Sequence, residues 1–170
     1  MPEGRPAIPR PLERRVLVEA GHRCAIPTCR TVPVELAHID PWSKVQEHTF
    51  ENLIALCPTC HTRYDNGDID RLSMKTYKAN LSVISGRYGE MERRILDLLV
   101  ESPQAAQIRL PGGWDIQLMY LIKDGLLAVA QGGARIEIAG IPAHQDFVVT
   151  PAGRDFVSRW VKAEPVEGDD

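Results

Sequence analysis

The sequence predicts an α+β protein in two parts: a small metal-stapled N-terminal half, then a half in which helices surround a few short strands. Three observations carry this. All four cysteines fall in two tight pairs, Cys24-x4-Cys29 and Cys57-x2-Cys60. From Tyr88 to about Gly125 the apolar spacing is mostly helical, and beyond it three runs are strand-like. At 170 residues the chain holds one ordinary domain or two small ones. The expected divisions are residues 1–85, residues 86–162 and an acidic tail at 163–170 that is too polar to order itself.

The elements follow in order. Residues 1–11 contain four prolines and read as an extended lead-in. Leu12, Val16 and Ala20 at i, i+4, i+8 make one apolar face of a helix that Gly21 stops. Cys24–Cys29 is a knuckle turn, Val34–Ile39 a strand ended by Pro41, and residues 40–52 a polar loop. Asn52–Leu56 is apolar and leads into the second knuckle; His61–Asp65 opens a helix, and another spans Ser73–Ser85. Met91, Ile95, Leu98 and Leu99 form an apolar helical stripe. Residues 102–113 read as loop, with a short helix at Gln104–Ile108; Asp115–Asp124 is a helix ending at Gly125. Strand-like runs are Leu126–Ala130, Arg135–Ile141 and Phe147–Thr150. Thr150 as N-cap and Pro151 at the first helical position start a last helix to about Lys162. This order, with "YLIKDGLLAVA" and "FVVTPAGRDF", resembles the recognition-helix, wing and final-helix phrases of winged-helix domains over about 80 residues. Trp114, Met119, Leu121 and Phe156 are expected in its core.

Composition limits the function. The net charge is −3, and it is uneven: residues 1–85 carry 11 Lys/Arg against 10 Asp/Glu, residues 86–170 carry 9 against 13. A chain that tracks nucleic acid by bulk basicity is therefore excluded, and contact with DNA would use a local patch and a metal ion. No apolar run approaches the roughly 18 residues of a membrane span, so no membrane role is expected. The N-terminal residues lack a hydrophobic signal core, which makes a cytoplasmic location the expectation. In that compartment paired cysteines read as metal ligands rather than disulfides.

Two short-spaced pairs separated by 27 residues fit one tetrahedral zinc site on Cys24, Cys29, Cys57 and Cys60. Four thiolates leave such an ion no open position, so this zinc is structural. Between and beyond the knuckles lie His38, Asn52, His61 and Asp65. With the phrases "AHIDPWS", "NLIALCPTCH" and "YDNG", residues 12–78 closely resemble the HNH endonucleases, the ββα-metal nucleases. The resemblance implies a ββα-metal fold and a metal-dependent hydrolase of DNA phosphodiesters. The three name-giving residues fall on His38, Asn52 and His61, and the products would carry 5′-phosphate and 3′-hydroxyl ends.

The residue types suit that chemistry. A neutral imidazole takes a proton from water, and His38 at a strand end is the candidate base. His61 and Asp65 at i, i+4 share one helix face and offer a nitrogen and an oxygen to one divalent cation. Mg²⁺ or Mn²⁺ is expected there, with Zn²⁺ or Ni²⁺ as alternatives. Asn52 cannot titrate; the resemblance implies that it ties the loop beneath the base or contacts the ion. Many relatives place a further ligand before the base histidine, where this chain has Ala37. Glu35, on the strand face of Ala37, and Asp40, on that of His38, are the residues that could compensate. Arg14, Arg15, Arg23, Arg30 and Arg63 are candidate phosphate contacts, set against the alternative of a solvated face. His22, His48 and His144 read as surface or capping residues, and Trp42 as packing.

Asp115–Asp124 has Lys123 as its one basic side chain and Gln117 as a thin candidate for base contact. Residues 86–162 are therefore as well suited to a homodimer or a protein partner as to DNA. The alternative function is a weak or inactive zinc-dependent binding regulator on the same scaffold, or an effector subunit controlled through the C-terminal half.

Overall fold

A computed structural model describes residues 6–131 and 136–167. They divide into two compact units, one running to Ser85 and including the residues from Ala163 onward, the other spanning Gly86–Lys162. Both mix helix and strand, so the protein is α+β.

In the first unit, α1 (Arg10–Glu19) begins after Pro9, with proline again in its first turn. Proline costs nothing there because the first helical N–H groups lack intrahelical partners. α1 buries Val16, and Ala20 follows as its C-cap. Strands β1 (Glu35–His38) and β2 (Leu53–Leu56) pair antiparallel, with Glu35 opposite Leu56 and His38 opposite Leu53. All of β2 is buried, whereas β1 buries Ala37 and leaves its neighbours partly or wholly in solvent. That alternation is why an apolar strand can carry chemistry on its sister. A one-turn helix, α2 (Trp42–Val45), interrupts the connection read as loop. Helix α3 (Pro58–Asp65) follows β2 directly, so the site unit is a ββα element. Then comes α4 (Arg71–Arg87), started by Asp70, whose carboxylate accepts from the Ser73 amide at 2.9 Å and hydroxyl at 2.7 Å. Met74 and Leu81 of α4 join Val16, Ile39, β2 and the cysteines in one core.

That core also buries a charge pair. Glu19 of α1 and Lys78 of α4 form an ion pair with side chains 6% and 7% exposed, and Ser82 donates to the same carboxylate at 2.5 Å. The Lys78 ammonium sits 3.8 Å over the Phe50 ring and the Arg15 guanidinium 4.4 Å from it. Burial pushes the Lys78 pKa down, against the raising effect of Glu19. Residues expected in the acidic tail also belong to this unit: the Asn80 side chain donates to the Glu164 carbonyl at 2.8 Å and accepts from the Val166 amide at 3.1 Å.

The second unit contains α5 (Glu90–Glu101), β3 (Gln107–Pro111), a 3-10 turn (Trp114–Leu118), α6 (Met119–Lys123), β4 (Leu127–Val129), β5 (Glu137–Ile138), β6 (Ile141–Pro142), β7 (His144–Val149) and α7 (Pro151–Val161). Its main sheet has the order β3-β7-β4, all antiparallel, and β5-β6 is a separate hairpin. Glu92, 2% exposed, accepts from the Gly89, Tyr120 and Leu121 amides at 2.9, 2.8 and 3.1 Å. Those bonds satisfy a buried carboxylate and tie α5 to the start of α6. Thr150 caps α7 through the Gly153 amide at 3.0 Å. Gly153 is required there, because a Cβ would meet the Leu126 carbonyl oxygen at 2.2 Å.

Several expectations are corrected in this unit. The segment read as a short helix at Gln104–Ile108 is turn and coil to Ala106 and then enters β3, because Ile108 and Leu110 alternate inward against β7. The helix read over Asp115–Asp124 is a 3-10 turn followed by five α-helical residues. The strand read over Arg135–Ile141 is two short strands about a turn at Ala139-Gly140; Arg135 itself lies outside the described residues. Leu98 and Met119, expected inside, are exposed; the buried stripe of α5 is Glu92, Ile95, Leu96 and Leu99.

Candidate active site and metal centre

The two knuckles bring the four cysteines together. Among the described residues the sulfurs of Cys24, Cys29, Cys57 and Cys60 lie within 4.8 Å of one another, and Cys29 and Cys57 are 3.6 Å apart. Four ligands about 2.3 Å from one zinc stand ~3.8 Å apart at tetrahedral angles, so this spacing fits. The Cys57 sulfur also caps α3, accepting from the Cys60 amide at 3.4 Å. Burial pushes the Cys24 thiol up to about 11 and drives that of Cys60 further up, assisted by Cys24. Cys57 is lowered to about 6 because hydrogen bonds from Thr31 and the Cys60 amide outweigh its burial. Burial thus keeps Cys24 and Cys60 from ionising as bare thiols, and a soft cation would replace their protons.

A second constellation lies beside the sulfurs in sequence but is built differently. An open groove of about 690 Å³ is lined by Ala37 and His38 of β1, Ile39 just after it, Trp42 of α2, His61 and Asp65 of α3, and Arg71. Tyr64 of α3 donates to the Ile39 carbonyl, which fixes the helix against the strand end that carries His38.

His61 sits between two carboxylates. Its Nδ1 is 2.6 Å from Glu35 Oε1, and its Nε2 is 3.8 Å from Asp65 Oδ2. A neutral imidazole that donates from Nδ1 presents a lone pair at Nε2, toward Asp65. Donors about 2.1 Å from one Mg²⁺ are at most ~4.2 Å apart, so Nε2 and Oδ2 could hold one ion between them. A carboxylate behind a metal-binding imidazole is the usual device for fixing ring and tautomer, and Glu35 stands in that position.

Asn52 is fully committed to backbone. Its Oδ1 accepts from the Asp40 amide at 2.6 Å and its Nδ2 donates to the Asp40 carbonyl at 3.0 Å. Two bonds to one residue lock the turn that follows His38 and Ile39. Asp40, considered as a substitute for a ligand at 37, is instead bound to Lys75 at 2.9 Å and Arg71 at 3.5 Å. Those cations, Lys75 foremost, hold its carboxyl below the usual range.

The arginines divide differently. Arg14, Arg15, Arg23 and Arg63 are exposed, but neither they nor Arg30 line the groove. Arg30 donates to the Cys24 carbonyl at 3.3 Å, bracing the first knuckle. Arg71, at the start of α4, is the groove's cation, and the sequence reading passed over it. Also missed was His48, read as a surface residue: its Nδ1 is 3.0 Å from His38 Nε2. Neither contact leaves a local sequence signal, since each joins residues whose proximity depends on the folded connection.

Among the described residues no helix is long and apolar enough to cross a membrane. Searches of curated proteins and of solved structures return no match to this chain. Residues 22–67, the span that holds both the sulfur cluster and the His38, Asn52, His61 and Asp65 set, match the HNH endonuclease family model.

Proposed function

We propose that this chain is a metal-dependent endonuclease that hydrolyses DNA phosphodiester bonds, with a structural zinc on Cys24, Cys29, Cys57 and Cys60. The observation that carries the reading is one groove holding a strand imidazole, His38, and a helix imidazole–carboxylate pair, His61 and Asp65, inside the HNH-matching span.

In this mechanism His38 accepts a proton from water. The new P–O bond forms as P–O3′ breaks, leaving 5′-phosphate and 3′-hydroxyl ends. His61 and Asp65 would hold a divalent cation, Mg²⁺ or Mn²⁺, which supplies Lewis-acid stabilisation of phosphorane and leaving-oxygen charge. Glu35 keeps His61 in the tautomer with its lone pair at Nε2. Asn52 is a positioning residue, holding the backbone just past the base. Arg71 offers a guanidinium to a non-bridging phosphate oxygen, and the exposed Arg14, Arg15, Arg23 and Arg63 extend contact along the backbone without reading sequence. Glu35 supports the ion through His61 and so offsets the ligand missing at Ala37.

The second unit is read as winged-helix-like, which its sheet order β3-β7-β4 with an intervening hairpin and flanking α5 and α7 supports. With five residues and Lys123 as its basic side chain, α6 is poorly equipped for a DNA groove, so this unit is assigned to a protein partner or a second copy.

The test is plasmid nicking by zinc-loaded protein with Mg²⁺ or Mn²⁺. Native protein should nick, and His61→Ala and Asp65→Ala should lose both nicking and Mn²⁺ binding. DNA binding without cleavage under any divalent ion would replace the nuclease with a binding regulator.

A further inference from the structure

We propose that His48 is a positioning residue for the base: it holds His38 in the tautomer whose basic nitrogen is Nδ1. This rests on the nuclease reading of His38 given above. The argument is a chain of donors and acceptors. The Pro6 carbonyl can only accept, and His48 Nε2 lies 2.9 Å from it, so His48 carries its proton on Nε2. In the neutral ring Nδ1 is then an acceptor. His38 Nε2 lies 3.0 Å from that Nδ1, and must therefore be the protonated nitrogen of His38. Its lone pair is left on Nδ1. A base in the other tautomer would present an N–H at Nδ1 and could not take a proton there.

Packing fixes the rings as well as the protons. The Trp42 ring lies 4.6 Å from His48 at an interplanar angle of 32°, and meets His38 edge-on at 5.8 Å and 80°. One indole, carried on α2, thus buttresses both imidazoles. When His38 takes the water proton, its Nε2–H bond to His48 becomes charge-assisted and shorter, so the same contact favours the protonated base.

The experiment uses the full zinc-loaded chain with ¹⁵N-labelled histidine at pH 8, native and with His48→Ala, His48→Asn and His38→Ala. Long-range ¹H–¹⁵N spectra should show native His38 protonated on Nε2, and a mixture of tautomers in His48→Ala. In cleavage assays His48→Ala should lose about 10–100-fold in kcat with KM changed by less than about twofold. His48→Asn should recover most of the loss, because its amide oxygen replaces the Nδ1 acceptor. If His38→Ala is inactive while His48→Ala keeps native kcat and the native His38 tautomer, the positioning role is overturned and the nuclease reading stands. If His38→Ala cleaves like native protein, the nuclease reading falls and the positioning role falls with it.

Discussion

Removing the metal from the cysteine cluster should unfold the first unit and spare the second. The four sulfurs already lie within 4.8 Å of one another, and those of Cys29 and Cys57 stand 3.6 Å apart, close to the ~3.8 Å of a tetrahedral zinc–thiolate site. Little binding free energy is then spent on rearrangement, and the full ~10–16 kcal/mol typical of structural zinc is available to folding. A domain of ordinary size has only ~5–15 kcal/mol of stability in total. Cys24, Cys57 and Cys60 also belong to one buried cluster with Val16, Ile39, Leu53 to Leu56 and Met74, with Cys29 packed against it, so separating the sulfurs opens that core. The perturbation is a strong chelator on native protein, with Cys60→Ser as the genetic equivalent. Hydrogen exchange read by mass spectrometry should show protection lost across α1, β1, β2 and α3 but retained in α5, β7 and α7. Metal analysis should find one zinc per native chain. Metal-free protein that keeps protection in β1, β2 and α3 would refute the reasoning.

Three further outcomes are expected. Glu35→Ala should weaken Mn²⁺ binding about 10–100-fold by freeing the His61 ring, measured by calorimetry on zinc-loaded protein; unchanged affinity would remove Glu35 as the orienting carboxylate. Lys78→Met should destabilise the zinc-loaded first unit by about 3–5 kcal/mol, since it leaves Glu19 buried without its partner, while Glu19→Met with Lys78→Met should restore most of that; thermal unfolding separates the two cases. Asp124, bound to Arg87 at 2.6 Å and 2.9 Å, has its carboxyl held below the usual range by that guanidinium. A depressed folded pKa means the unfolded chain takes the proton first. The pair's stabilisation of the second unit is therefore full above the ordinary carboxylate range, near ~4, and is lost as pH falls through the folded pKa. Asp124→Asn should flatten that part of the acid-unfolding curve and leave the neutral-pH side of the profile with the same slope.

Much of this was legible in the sequence, and the reasons differ by element. The cysteine spacing dictated a cluster because knuckles constrain position locally. The i, i+4 spacing of His61 and Asp65 needed only a helix, and Pro58 after Cys57 supplies its start. Strand alternation put Glu35 and Ala37 on one face, so a role for Glu35 was visible, though as a substitute ligand rather than a carboxylate behind His61. What escaped depended on distant partners. β3 is a strand because β7, more than thirty residues away, pairs with Gln107–Pro111; within its own segment Pro111 and the glycines read as loop. Met119 reads as core by its apolar side chain, but it is the first residue of α6 and stands exposed while Leu121 is buried. His48 reaches His38 from an irregular connection and Arg71 reaches the groove from a helix start, where no periodicity marks a position.

The most direct test of the central claim is single-turnover cleavage of a DNA duplex by zinc-loaded native protein and by His38→Ala, both with saturating Mn²⁺. The native chain should give 5′-phosphate and 3′-hydroxyl ends, and His38→Ala should bind Mn²⁺ and DNA as native protein does while losing about 10²–10⁴-fold in rate, the share supplied by a general base. Equal rates in the two proteins would contradict it.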